Sequence, residues 1–323
     1  MADIAFEKDL SVTETGIGGL KVVDLAVHGD SRGWFKENWQ RAKMTALGIP
    51  DLRVVQNNVS YNDSRGVTRG IHAEPWDKFI SVARGSVFGA YTAVDRAETP
   101  EGRAIAWKAN ATGPALLART CAGHGITLVH VSSDYVFDGT AEVHTEEEPL
   151  SPLSVYGQTK AAGDIAVAGC PRHYIMRSSW VIGEGHNFVK TMKGLSDRVA
   201  DPEDGLEQVT VVDDQLGRLT FTRDMAEAIF HVLGSHAPYG TYDCTGSGAV
   251  RSWADIARAV FEAANGNGDR VAPVSTADYY ANAAGPIAPR PVHSALDLSR
   301  LESVGFHMPD WEEELGEYLN YYL

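Results

Sequence analysis

Tyr156-Gly-Gln-Thr-Lys160 sets a phenol and an ammonium four residues apart. On a helix that spacing puts both side chains on one face, a turn from each other. A lysine ammonium nearby lowers a phenol pKa, so the expected chemistry is proton exchange between Tyr156 and a carbonyl oxygen near neutral pH. Tyr and Lys meet at this spacing by chance in many helices, so context has to decide. Ser133 supplies it, because it sits late in the β-branched run ITLVHVSSDYVF. Open α/β sheets bind ligands at the C-terminal ends of their parallel strands, where such a hydroxyl would stand.

The elements around these residues alternate. A helix is expected over roughly Arg103 to Gly123, then the buried strand ITLVHVSSDYVF, then a helix from near Val155 to Ala168. HYIMRSSWVI reads as a second buried strand, SWADIARAVFEAAN as a helix with Ser252 as N-cap, and WEEELGEYLNYYL as a closing amphipathic helix. Strands alternating with helices predict a parallel sheet. Before Tyr91 the texture differs. LKVVDLAVHGDSRGWF, RVVQNNVSYN and KFISVARGSVFGAY alternate apolar and polar residues between Gly, Asp and Asn, as the strands of a sandwich or barrel do. Three stretches follow: an arm over 1–17, an antiparallel β segment over 18–89, and an α/β region over 90–323. The acidic stretch EVHTEEEPLSPLS reads as a solvated loop.

Composition narrows the field. The 323 residues are 44% apolar and carry a net charge of −15, with 43 acids against 28 bases. Such a charge repels phosphate backbones and acidic lipid, so nucleic-acid and membrane partners are not expected. Cys121, Cys170 and Cys244 are far apart in the chain, so neither a disulfide framework nor a zinc knuckle is predicted. With no apolar leader in MADIAFEKDLSVTETG and no long apolar run, the expectation is a cytoplasmic protein.

Ser133, Tyr156 and Lys160 together resemble the triad of the short-chain dehydrogenase/reductases. The motifs S-S-D-Y-V-F-D-G, P-L-S-P-L-S-V-Y-G-Q-T-K, R-S-S-W-V-I-G, N-F-V-K-T-M, D-D-Q-L-G-R-L-T-F-T-R-D and R-P-V-H-S-A-L-D narrow it. From about Ala90 to Leu323 the chain looks like the dTDP-4-dehydrorhamnose reductases. That resemblance implies reduction of a 4-keto sugar on dTDP by NADPH or NADH, in dTDP-L-rhamnose biosynthesis. It implies that Tyr156 protonates the C4 oxygen, Ser133 hydrogen-bonds it, and Lys160 binds the nicotinamide ribose. Asp134 and Trp180 would touch the sugar nucleotide, and Tyr91 would lie along the cofactor. Arg177 and Arg218 are candidates for phosphate contact or plain surface cations.

The earlier segment carries Asp30 to Phe35, Arg69-Gly-Ile-His72 and Lys78, and it resembles the cupin dTDP-4-dehydrorhamnose 3,5-epimerases. By that resemblance His72 would be a base and Lys78 would steady an enolate. Arg32, Glu37, Gln56, Asn58 and Arg69 would hold the nucleotide sugar. No metal is expected, because His72 and Glu74 do not make a His-x-His pair. No glycine-rich turn that opens a helix precedes Tyr91. Gly16-Ile17-Gly18-Gly19 leads into a strand, and Gly246-Ser247-Gly248 lies in the later lobe.

The predicted fold class is therefore α/β: an incomplete NAD(P)-binding Rossmann (doubly wound) domain with a smaller substrate lobe, preceded by an antiparallel, partial cupin segment. The chain reads as an epimerase–reductase fusion lacking its middle. Three functions compete: the reductase, a non-catalytic sugar-nucleotide-binding protein like the regulatory subunit of methionine adenosyltransferase, and the epimerase. The expected partner is a dTDP-sugar, and a homodimer is compatible with each reading.

Overall fold

The computed structural model describes residues 9–14, 21–30, 33–51, 94–183 and 187–322. The chain divides into two compact units, Met1–Gly89 and Ala90–Leu323.

In the first unit, strands β1 (Ser11–Glu14) and β2 (Lys21–Asp24) pair antiparallel, as do β3 (Val27–Asp30) and β4 (Gly33–Lys36). The stretch 1–17, expected as an arm, thus contains a strand, because Val12 and Thr13 have partners in Val23 and Val22. A short helix, α1 (Arg41–Ala46), follows and buries Met44. Gly48, at φ 78, turns the chain so that Ile49 N–H reaches the Met44 carbonyl at 3.0 Å.

The second unit opens with a helical run. Thr99 caps α2 (Pro100–Trp107) by accepting from Gly102 N–H at 3.0 Å, and Pro100 occupies the first turn, where its missing N–H costs nothing. A π turn over Lys108–Thr112 leads into α3 (Gly113–His124), which Gly125 ends at φ 65. The predicted single helix is therefore two, joined by a wide turn. Strand β5 (Leu128–Ser133), helix α4 (Val155–Ala168) and strand β6 (His173–Ser178) come next.

The predicted strand HYIMRSSWVI is broken at Trp180, whose φ of 48 is left-handed. Its indole stacks on Trp253 at 3.8 Å, a tertiary contact that compensates the strained backbone. Beyond the break, β7 (Val181–Ile182) joins a different sheet. Helix α5 (Phe188–Ala200) and strands β8 (Val209–Val212), β9 (Leu216–Gly217) and β10 (Thr220–Phe221) follow. Then come α6 (Thr222–Gly234), β11 (Gly240–Asp243), β12 (Arg251–Ser252), α7 (Trp253–Asn265) and β13 (Val271–Val274). Helices α8 (Thr276–Tyr279), α9 (Ser299–Ser303) and α10 (Trp311–Tyr322) complete the unit.

The main sheet has the order β11-β6-β5, all parallel, with Ser133 opposite Ser178 and Arg177 opposite Asp243. Successive residues of β6 face opposite ways. Ile175 packs with Ala118, Cys121 and Val167 of α3 and α4. Tyr174 and Met176 pack with Met225, Ala228 and Val232 of α6. Helices thus cover both faces, as in doubly wound folds.

A second core lies under β7–β10 and β8–β13, where Ile182, Val260, Phe261 and Trp311 are buried among α5, α7 and α10. Ser252 opens α7 with a reciprocal capping box to Asp255, as the sequence predicts.

The acidic stretch expected as a solvated loop is instead pinned. His144 is fully buried, stacks on Phe137 at 4.7 Å and meets Glu148 at 2.8 Å. Glu146 accepts the Asp243 N–H at 3.0 Å. Glu146 and Glu148 thus serve buried partners, while Glu142 and Glu147 stay exposed. Among the described residues no helix is long and apolar enough to cross a membrane.

Candidate active site

Strand β5 delivers Ser133 at its C-terminal end. The chain then tightens into a 3-10 turn, Asp134–Val136, which Ser133 caps by accepting from Tyr135 N–H at 3.3 Å. The Ser133 hydroxyl also donates to the Asp134 carboxylate at 3.0 Å. Opposite this turn, Ser154 starts α4 by accepting from Gly157 N–H at 3.0 Å, and Glu98 accepts the Val155 N–H at 2.8 Å. Gly157 lies so close to the turn that a Cβ there would come within 2.1 Å of the Tyr135 carbonyl. This contact brings Tyr156 toward Ser133, whose hydroxyl favours the ionised phenol.

Lys160 follows one turn later, almost fully buried, and donates to the Val131 carbonyl at 2.6 Å. Ser133, Tyr156 and Lys160 therefore converge where β5 ends and α4 begins. Tyr135 meets the Tyr156 ring edge-on at 5.6 Å.

The electrostatics differ from the expectation. Burial pushes the Tyr156 phenol up to about 12, and the Asp134 charge adds to this, while the nearby Ser133 hydroxyl opposes both. The Lys160 ammonium, engaged by Val131, does not offset them, and burial pulls its own pKa down. Asp134 is itself pushed up to about 6 by burial, opposed by the nearby Ser294 and Ser133 hydroxyls and by His144, while its Oδ2 is buried without a hydrogen-bond partner.

Sequence reasoning overlooked several neighbours. Arg290 pairs with Asp95 at 2.9 Å and lies over the Tyr280 ring at 5.1 Å, and its charge reaches Tyr135. Ser294 reaches Asp134 from the same C-terminal motif. Tyr135, Arg290 and Ser294 all lie inside quoted motifs, but no periodicity marks them as neighbours across the fold.

Other expectations fall differently. Arg177 is not a phosphate contact: it is buried, pairs with Asp164 at 3.0 Å and lies over the Phe137 ring at 5.2 Å. Arg218 is half-buried and donates to the Leu296 carbonyl at 3.3 Å. Trp180 stands two residues beyond β6, against Trp253 and Gly217. Glu37 forms an ion pair with Lys43 at 2.7 Å. Arg32, Gln56, Asn58, Arg69, His72, Lys78 and Tyr91 lie outside the described residues. Among the described residues no cluster could hold a metal ion.

Known proteins resemble this chain. The family model of the RmlD substrate binding domain matches residues 45–323. The dTDP-4-dehydrorhamnose reductase of Sinorhizobium fredii is 39% identical over 237 residues, covering 69% of this chain and 75% of that protein. That of Mycolicibacterium smegmatis is 37% identical over 246 residues, covering 73% and 70%. Among solved structures, the reductase of Clostridium acetobutylicum superposes with a TM-score of 0.64 at 37% identity, covering 72% of this chain and 78% of that one. The reductase of Bacillus anthracis in complex with NADP gives 0.62 at 35%, covering 72% and 77%. With the parallel sheet and the Ser133–Tyr156–Lys160 convergence in place, these likenesses make the chain a member of the dTDP-4-dehydrorhamnose reductase family.

Proposed function

We propose that this chain reduces the 4-keto group of a dTDP-linked sugar at the expense of NAD(P)H. The observation that carries the reading is the meeting of Ser133, Tyr156 and Lys160 at the C-terminal end of a parallel strand. Ser133 hydrogen-bonds the C4 oxygen and fixes the carbonyl against Tyr156. The phenol, protonated at every physiological pH, gives its proton to that oxygen as negative charge develops on it.

The cofactor supplies the hydride when bound. Lys160 fits its nicotinamide ribose, since the ammonium carries more donors than its one contact with Val131 uses. Asp134 and Trp180 contribute to the sugar-nucleotide side. The glycine-rich turn of a dinucleotide site is not found before Tyr91, so we read the Rossmann domain as incomplete at its pyrophosphate end.

The test is NADPH consumption with a dTDP-4-keto sugar. Tyr156→Phe removes the proton donor and is expected to cost about 10²–10⁴ in rate. A parent that turns over beside a Phe variant of equal rate overturns the assignment. The antiparallel β3–β4 hairpin of the first unit favours a second reading, descent of residues 18–89 from a cupin epimerase. Solvent deuterium incorporation into the keto sugar, lost in His72→Ala, is its measurable consequence.

A further inference from the structure

Tyr156 takes its place from the start of α4, and that start is held from outside the helix. Glu98 Oε1 accepts the Val155 N–H at 2.8 Å, and Ala97 is buried in a cluster with Val155 against which Tyr156 packs. Both belong to one tight turn, closed where the Glu98 N–H donates to the Asp95 carbonyl at 3.1 Å. The turn is gripped in its own right. Asp95 Oδ1 accepts the Ala288 N–H at 3.0 Å, and Oδ2 accepts from Arg290 Nη2 at 2.9 Å. Arg290 Nη1 donates to the Ala288 carbonyl at 2.8 Å. We propose that Arg290 is a positioning residue for Tyr156, acting through Asp95 and Glu98 on the first turn of α4.

The proposal rests on the reductase reading and deepens it. A guanidinium suits this task because its planar fork serves two acceptors at once in a fixed geometry. Here the acceptors are the Asp95 carboxylate and the Ala288 carbonyl. The same group lies over the Tyr280 ring, 5.1 Å from its centroid, so it is packed on one side and paired on the other. Only 14% of the Arg290 side chain is exposed. Burial would raise the Asp95 carboxyl, but its bonds to Arg290 and Ala288 outweigh that and hold it below the ordinary carboxylate value. The pair is therefore ionised at neutral pH.

The segment that carries Arg290 is anchored as well. Pro291 and Val292 lie against Gly139, where an added Cβ would come within 2.6 Å of either. The His293 N–H donates to the Gly139 carbonyl at 3.3 Å. Gly139 lies just past the turn Asp134–Val136 that Ser133 caps. Arg290 thus stands on a stretch fixed to the Ser133 side and reaches across to the Tyr156 side. It braces the two against each other.

Hydrogen exchange on the whole chain reads this link without turnover. Arg290→Ala should speed exchange of the Val155 amide about tenfold or more, while amides in the middle of α7 exchange as in the parent. Glu98→Ala should give the same local change. The double variant should be no faster than either single one, since both cut one path. Arg290→Lys keeps a charge and a stem over Tyr280 but loses the fork, so it should fall between the parent and Arg290→Ala. Should Arg290→Ala not fold, the Lys variant carries the same comparison. An unchanged Val155 amide, or additive effects in the double variant, overturns the proposal whether or not the chain is active.

Kinetics separate positioning from a plain structural anchor. Arg290→Ala should lower kcat for keto-sugar reduction about 10- to 100-fold with KM for the dTDP-sugar within about twofold, because a misplaced proton donor is felt in the transition state. Arg290→Lys should recover part of kcat. A lowered melting temperature with kcat unchanged shows an anchor only and refutes the proposal. A parent without any reduction, beside the expected exchange pattern, refutes the reductase reading instead and leaves the Arg290 link standing.

Discussion

At the scale of single residues, the chain tolerates buried charge where it serves geometry and is weakened by it elsewhere. Asp164 is buried, and burial alone would raise it. His130 and Arg177 outweigh that and leave it below the ordinary carboxylate value. Asp243 is the opposite case. It is fully buried, and neither carboxylate oxygen has a hydrogen-bond partner. Burial, with Glu146 beside it, raises its pKa well above 3.8, and Arg177 only partly compensates. In the unfolded chain it ionises near its ordinary value, while in the fold it keeps its proton to a higher pH. Between those two values the folded state binds more protons, so stability falls as pH rises through that window. Asp243→Asn removes the penalty. Its stability relative to the parent should grow from about pH 4 toward neutrality, by about 1–3 kcal/mol, the order of a buried unsatisfied polar group. Urea melts at both pH values check this, and a pH-independent difference would refute it.

At the scale of elements, the site is set by how closely α4 approaches the turn after β5. Gly157 allows this, since a Cβ there would come within 2.1 Å of the Tyr135 carbonyl, and Gly163 allows the matching approach of α4 to the π turn, where a Cβ would come within 2.2 Å of the Asn110 carbonyl. Gly157→Ala should lever the start of α4 away from Ser133. A cost of about 1–3 kcal/mol is expected for such overpacking, together with loss of reduction. Gly123→Ala, in α3 with open space around its Cβ, should instead gain roughly 0.5–1 kcal/mol. If both variants melt like the parent, the close approach is not what positions Tyr156. Helix α4 was legible in the sequence and runs from Val155 to Ala168 as expected. The break at Trp180 and the π turn at Lys108–Thr112 were not, because stacking on Trp253 and docking of Asn110 on Thr159 are tertiary causes. The meeting of Ser133, Tyr156 and Lys160 where β5 ends and α4 begins was readable from spacing and strand position. The Arg290–Asp95 pair joins residues 195 positions apart, and nothing local announces it. The pinned acidic loop misled for the same reason: its charges look solvent-seeking until Asp243, Arg300 and Ala295 appear opposite them.

At the scale of the whole molecule, the question is how the two ligands share the chain. On the proposed reading the sugar-nucleotide side draws on the later lobe, where α5, α7 and α10 enclose an apolar core and Trp180 is braced by Trp253. On the same reading Lys160 and Tyr156 meet the nicotinamide ribose. Pyrophosphate binding in doubly wound folds rests on backbone N–H groups where a glycine-rich turn opens a helix, and the sequence before Tyr91 offers no such turn. Each missing charge-assisted hydrogen bond is worth roughly 1.5–3 kcal/mol, so losing several weakens affinity by several powers of ten. The net charge of −15 adds long-range repulsion of both phosphate-bearing ligands and does not discriminate between them. The expected outcome is measurable binding of a dTDP-sugar, weak binding of NADPH and NADH, and turnover only at high cofactor concentration. Calorimetric titration of the full chain with each ligand separates the cases. Micromolar NADPH binding would show that some other part of the chain cradles the pyrophosphate. Failure of the dTDP-sugar to bind would place the defect in the lobe around Trp180 instead.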